Sequence, residues 1–353
     1  MNTVFLHGPA DLRLAEIESP GPPESGQVVI SVDAVGVCGS DLHMFETGGI
    51  GGRQADQPFC LGHEFAGTIT AAATDARDEN GERLRVGQRV AVDPAVPCGH
   101  CENCREGNPN LCPDHTFMGV PPDNGALCER LTVPAANCFS LPDSISAGAG
   151  SLLETLGIAI HSVDLAKLQV ARSVAIFGCG PVGLLILKLA HLAGSFPIHA
   201  FDPVPWRREK ALELGATAAW PVPPENAVAP LLEATGGRGV DVVFEVANAD
   251  RSIDLAFEAA RPGGRAVLVG IPAHDRSEFG HSTPRRKGLT VRFVRRMKHT
   301  YPRAIALARH PGMTGVLDGL ISHTFPLART TDAFDTAMHY RDGVLKAIIE
   351  PNR

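Results

Sequence analysis

The chain has no surplus of basic residues. Its 32 lysines and arginines stand against 39 acids, a formal charge of −7, without the basic stripe that a phosphate backbone demands, so nucleic acid is not an expected partner. Long apolar runs are missing too. The opening MNTVFLHGPADLRL has no basic segment followed by an apolar core, and the most apolar helix candidate, GLLILKLAHLAG, is broken by Lys188 and His191. The expectation is a soluble, cytoplasmic protein that avoids membranes. Cysteine is too sparse for a disulfide scaffold, nine in 353 residues, and four of them stand at C-x₂-C spacing, so metal outranks disulfides. Internal repeats and low-complexity tracts are absent. What remains is 44% apolar content in a chain longer than one core usually supports, and two domains are expected.

The cysteines fall into separate patterns. Cys98, Cys101, Cys104 and Cys112 lie within PCGHCENCREGNPNLC and can offer four thiolates to one Zn²⁺, the composition of a closed structural site. Free or paired thiols and a nucleic-acid-binding zinc ribbon are the rival readings, and the acidic balance speaks against the ribbon. Cys38, in GVCGSDLH, stands 25 residues before His63 in LGHEFAG. Two ligands cannot close a tetrahedron, so an open position is thinkable there, although a cysteine and a distant histidine are more often unrelated. Cys60, Cys128, Cys138 and Cys179 read as buried, inert thiols.

The first half is rich in short β-type segments punctuated by glycine and proline: QVVISVDAVGV, FAGTITAAA, GQRVAVDP and ERLTVPAANCFSL. They suggest an antiparallel, barrel-like domain, with the charged TDARDENGERLR as an exposed hairpin loop. From about Ser173 the rhythm becomes strand-helix alternation, through SVAIF, PVGLLILKLAHLAG, IHAFD, WRREKALELG, VDVVFEVA, SIDLAFEAARPGG, RAVLVG and LTVRFV. Such alternation specifies a parallel, doubly wound α/β sheet. The last sixty or so residues are too few for a third domain and are expected to return to the first.

Between the first strand and helix of that alternation, GCGPVG places Gly178, Gly180 and Gly183 in a G-x-G-x-x-G turn, and Asp202 follows nineteen residues after Gly183 at the end of the next strand. In that context the motif reads as a dinucleotide fingerprint. Gly178 permits the tight turn, Gly180 lets a pyrophosphate approach the backbone, and Gly183 permits close helix-sheet packing. Pro181 and Val182 open a helix whose unpaired N–H groups face the phosphates. Asp202 would accept hydrogen bonds from the adenosine ribose and repel a 2′-phosphate, which favours NAD over NADP. Arg207 and Arg208 pull the other way, since one of them could bind that phosphate; alternatively they form the solvated face of the next helix.

GVCGSDLHMF, LGHEFAGTI, VGQRVAVDP, the four-cysteine lobe and GCGPVG occur in the order and spacing of the zinc-dependent medium-chain dehydrogenases, and the resemblance spans essentially the whole chain. Within that family the chain looks most like the polyol branch typified by sorbitol dehydrogenase, with threonine dehydrogenases close by. The resemblance implies a GroES-like, β-rich catalytic domain over 1–153, carrying the zinc lobe near 94–113 and completed by 296–353, and an NAD-binding Rossmann domain over 154–295. LLETLGIAIH resembles the branch's zinc-ligating Glu-Pro-Leu segment, with Thr155 in place of the proline, and Glu154 matches the glutamate. Retention of all four lobe cysteines leans towards the bacterial polyol and threonine enzymes.

On that resemblance Cys38, His63 and Glu154 hold a catalytic zinc, the lobe holds a second ion, and Glu64 supports the metal from behind and ligates it at times. Ser40 and His43 match the family's proton relay, against plain readings as a helix N-cap and a surface histidine. TYPRAI resembles the family's Thr-Trp-Pro segment, which puts Arg296 at a substrate-binding position; a solvated charge at a domain junction is the alternative. Met297 and Met44 stand where the family has aromatics. The implied activity is transfer of hydride from a secondary hydroxyl of a polyol or sugar alcohol to NAD, giving a ketose. A threonine, diol or simple alcohol dehydrogenase is the near alternative, and a non-catalytic cofactor-binding protein the distant one. Relatives imply a homodimer or homotetramer.

Overall fold

A computed structural model describes residues 1–50, 53–222, 228–247, 249, 251–272 and 276–353. The chain divides into two compact units, Met1–Thr155 with Tyr301–Arg353, and Leu156–Thr300. In the first unit the β-branched run of β1 (Gln27–Gly36) forms the centre of a seven-stranded sheet. Antiparallel to it lie β2 (Glu64–Ala72) and, across its first half, the short β4 (Arg130–Pro134), while β3 (Arg89–Val92) and β5 (Cys138–Ser140) extend the sheet beyond β2. The C-terminal strands Lys346–Glu350 and Ile321–Pro326 add to the other side of β1, so the tail does return to the first unit. Two register shifts between β1 and β2 bend the sheet around its apolar interior.

Two local expectations need correction. ERLTVPAANCFSL is not one strand: after Pro134 the chain makes a 3₁₀ turn over Ala135–Asn137 before β5 begins, because a proline cannot donate to the ladder. TDARDENGERLR is a hairpin tip, closed by the Arg77–Arg83 bridge, but Ala76 and Leu84 at its base are buried in the core. Its charges hid two anchors.

The second unit carries β6 (Val174–Phe177), β7 (Ile198–Phe201), β8 (Ala218–Trp220), β9 (Val240–Glu245), β10 (Ala260–Leu268) and β11 (Thr290–Phe293), all parallel, in the spatial order β8-β7-β6-β9-β10-β11. This is the doubly wound order whose reversal lies at the first strand. Helix α1 (Gly39–Thr47) belongs to the first unit; α2 (Leu153–Ala166) leads into the second, where α3 (Pro181–Leu192) and α4 (Pro205–Glu213) follow β6 and β7. Both faces of the sheet are covered, so β6, β7 and β9 are buried at every position. Phe177 and Phe201 stack at 4.5 Å between the adjacent β6 and β7. Among the described residues no helix is long and apolar enough to cross a membrane.

Candidate metal and dinucleotide centres

The ladder between β1 and β2 ends with Gly36 opposite Glu64. Cys38 lies just past the end of β1 and His63 just before the start of β2, so antiparallel pairing delivers both to one edge of the sheet. A side chain at Gly36 would collide with the Glu64 carboxylate, and only glycine leaves that room. The ligand atoms of Cys38, His63 and Glu64 all lie within 4.8 Å of one another. Glu154, buried in the first turn of α2, is not in that group.

Cys38 caps α1 with extended backbone, and its N–H donates to Asp41 Oδ2 at 2.9 Å. The other Asp41 oxygen lies 3.2 Å from His63 Nδ1, which orients the ring and leaves Nε2 for a metal. Burial works against a charged His63, but the Asp41 carboxylate and the Cys38 sulfur outweigh it and hold the pKa well above the usual value. The pocket is built for a cation. Ser40 Oγ stands 3.4 Å from His63 Nε2, and the Phe117 ring lies 5.6 Å from the His63 ring. His43 shares a face of α1 with Ser40, one turn on and half-buried.

Behind Glu64 sits Lys346, 3% exposed, in an ion pair with the carboxylate and donating to Val37 O at 2.9 Å. Sequence reasoning missed both Asp41 and Lys346. Asp41 carried a signal, an acid three residues after a helix-capping position. Lys346 carried a fainter one, a lysine leading straight into the apolar run Ala347–Ile349 of the strand KAIIE.

In the lobe the sulfurs of Cys98, Cys101, Cys104 and Cys112 are likewise within 4.8 Å of one another. Backbone N–H groups point at them: Cys98 N to Cys112 Sγ and Cys101 N to Cys98 Sγ, each at 3.4 Å, and Cys104 N to Cys101 Sγ at 3.5 Å. N–H groups of His100 and Cys101 pull the Cys98 thiol down to about 6, while desolvation and neighbouring sulfur push Cys104 up to about 12. Four thiolates so close together need a cation between them. A tetrathiolate donor set fits Zn²⁺.

At the glycine turn Gly178 has φ +100°, and a Cβ there would meet Ala247 N at 2.7 Å. A Cβ on Gly183 would strike Gly178 O, whereas one on Gly180 would meet nothing within 4 Å. The space over Gly180 is open to a ligand. Gly180 caps α3 without a side-chain acceptor and Pro181 has no N–H, so the amides of Val182 and Gly183 await an external anion. Asp202, 3% exposed, accepts Cys179 N at 2.7 Å and Val204 N at 2.8 Å. Arg208 donates to the carbonyls of Asp202 and Pro203, both at 2.8 Å, and Arg207 is half-buried beside it on α4. Arg296, in the second unit, is half-buried with φ +51°.

Family models match at residues 24–143, the alcohol dehydrogenase GroES-like domain, and at 181–310, the zinc-binding dehydrogenase domain. Sorbitol dehydrogenase of Bacillus subtilis is 33% identical over 355 residues, covering 100% of this chain and 98% of the relative. Among solved structures, 2R,3R-butanediol dehydrogenase of Bacillus subtilis superposes with TM-score 0.87 at 29% identity, over 99% of each chain. An alcohol dehydrogenase of Escherichia coli CFT073, complexed with NADH, superposes with TM-score 0.86 at 28% identity, again over 99% of each chain. With two thiol-based ligand clusters in the first unit and a dinucleotide turn in the second, the chain belongs to the polyol branch of the zinc-dependent medium-chain dehydrogenases.

Proposed function

We propose that the protein oxidises a secondary hydroxyl of a polyol or sugar alcohol to the ketose with NAD, reversibly, using one zinc for catalysis and a second in the lobe. The observation that carries this reading is the convergence of Cys38, His63 and Glu64 at one sheet edge with Asp41 behind the histidine. When bound, zinc supplies the Lewis acidity that makes a secondary hydroxyl easy to deprotonate, and the nicotinamide accepts the hydride.

Cys38 and His63 hold the metal, with Glu154 as the third ligand. Glu64 is the weaker choice because the Lys346 ammonium already neutralises its carboxylate. With the Glu64–Lys346 pair contributing no net charge, Cys38 and Glu154 balance a dication. Ser40 Oγ, beside the metal-facing His63 nitrogen, receives the substrate proton and passes it to His43. Burial lowers the His43 pKa, only partly opposed by Glu46, so the ring stays neutral and ready to accept.

Gly178, Gly180, Pro181, Val182, Gly183 and Asp202 seat the dinucleotide, Arg207 flanks the ribose, and Arg296 orients hydroxyls remote from the metal. The B. subtilis sorbitol dehydrogenase supports a polyol; the butanediol enzyme keeps a diol, threonine or simple alcohol as the second reading. We place the protein in the cytoplasm and read it as a homodimer or homotetramer; among the described residues the outer edge of β11 pairs with no further strand and Phe293 there is 73% exposed, which supports self-association.

The test is a reduced-cofactor absorbance screen with zinc, NAD and a panel of polyols, vicinal diols, threonine and simple alcohols. A polyol should give the highest kcat/KM. Preference for threonine or a diol would replace the substrate reading, and silence with every alcohol and either cofactor would sink the enzymatic one.

A further inference from the structure

At the amino-terminal edge of the parallel sheet, the edge away from the glycine turn, one buried carboxylate holds three arginines. Asp241, 8% exposed, accepts on Oδ1 from Arg261 Nε at 2.7 Å, Arg238 Nη2 at 2.8 Å and Arg172 Nη1 at 3.1 Å. Its Oδ2 accepts from Ser173 N at 3.1 Å and Ser173 Oγ at 2.9 Å. The chain builds this arrangement deliberately. Between β9 and β10 the register jumps from Val240↔Ala260 to Val242↔Arg265, and the looped-out stretch after Ala260 aims Arg261 back at Asp241. Gly239, at φ +79°, has no room for a Cβ against Ala259 O and Arg261 N.

The charges do not balance. Three guanidiniums converge on one oxygen, and one carboxylate neutralises only one of them, so two like charges remain within a few ångströms of each other. Such an excess is unexpected on a chain of net charge −7. Donors are also left over. Among the described residues Arg238 Nε and Arg261 Nη2 meet no protein acceptor, and side chains of Arg172 and Arg238 are 41% and 51% exposed.

We propose that this cluster is a binding site for a small dianionic oxyanion, inorganic phosphate or the phosphate of a monoester, seated on the outer side of Arg172, Arg238 and Arg261. Two uncompensated charges match a dianion, and forked, fully ionised guanidiniums suit phosphate oxygens better than point charges do. The site is separate from the pyrophosphate seat, because Ser173 precedes β6 and Gly178 follows it.

Calorimetric titration of the full chain at constant ionic strength tests this, with NADH saturating so that the pyrophosphate seat is filled. Inorganic phosphate should bind once per chain, and glycerol phosphate serves as the monoester arm; the tighter ligand names the source. Arg238→Gln should weaken binding by about tenfold or more, with Arg238→Lys in between. If Arg238→Gln fails to fold, Arg172→Gln, which leaves two arginines on Asp241, takes its place. Absence of saturable binding of either ligand up to about 10 mM, or unchanged affinity in the variants, would show that the arginines only clamp Asp241.

Discussion

Lys346 reaches across from the returning C-terminal strand to Glu64, and the two form an ion pair with side chains 3% and 1% exposed. Removing one partner of a buried pair strands the other charge. Lys346→Met should therefore destabilise the first unit by about 3–5 kcal/mol, whereas the double variant Lys346→Met/Glu64→Gln should recover much of the loss. Urea unfolding of the four proteins in a double-mutant cycle measures this. A double variant as unstable as the single one would mean that Lys346 acts through packing and its bond to Val37 O, not through Glu64.

Two ligand clusters predict two zinc ions per chain, with different consequences for their loss. Cys101→Ser removes one of four lobe ligands and should lower thermal stability with metal content falling by one. Cys38→Ser should abolish turnover with the fold largely intact. Metal analysis beside thermal unfolding separates them, and no more than one ion per chain after zinc supplementation would end the two-site reading. Glu154→Gln should release the catalytic ion more readily than Glu64→Gln; the reverse order would make Glu64 the third ligand.

Asp202 shapes the glycine turn: its carboxylate accepts from Cys179 N there as well as from Val204 N. The proposed ribose contact would be its second task. Asp202→Ala should raise KM for NAD and narrow the gap to NADP, because it deletes both the ribose acceptor and the repulsion of a 2′-phosphate. Adding Arg207→Ala should then weaken NADP selectively. Equal use of the two cofactors by the unaltered enzyme would count against Asp202 as the selector.

What was legible in the sequence is what is short in range. Four cysteines within fifteen residues, and a glycine turn with its acid on the next strand, leave patterns because the residues that meet are close along the chain. Cys38 and His63 were legible only through family resemblance: the β1–β2 pairing that joins them has no signature at either residue. Lys346 and Glu64, far apart along the chain, meet through the sheet alone. The tri-arginine cluster escaped for the same reason, since Arg172, Asp241 and Arg261 lie on segments that only the parallel sheet brings together.

His43 should govern oxidation at low pH. Burial lowers its pKa and Glu46 partly restores it, so the neutral ring persists below the ordinary histidine value and the acid limb of kcat/KM should fall there. Glu46→Gln removes the opposing charge and should move that limb further to acid. His43→Ala should depress oxidation most at low pH and respond to added imidazole. A flat pH response with no rescue would return His43 to the surface.

Arg296 combines a half-buried guanidinium with a left-handed backbone, φ +51°, that a non-glycine residue adopts at a cost of about 1 kcal/mol. Arg296→Ala should raise KM for a polyol far more than for a short monofunctional alcohol, because a guanidinium helps only a substrate with hydroxyls remote from the metal. Arg296→Gly should give the same kinetic signature with higher stability than Arg296→Ala, since it relieves the backbone while removing the same group. Steady-state kinetics on both substrates and thermal unfolding of both variants decide it. If either variant slows every alcohol equally, Arg296 supports the fold and the preference for polyols must arise from other residues.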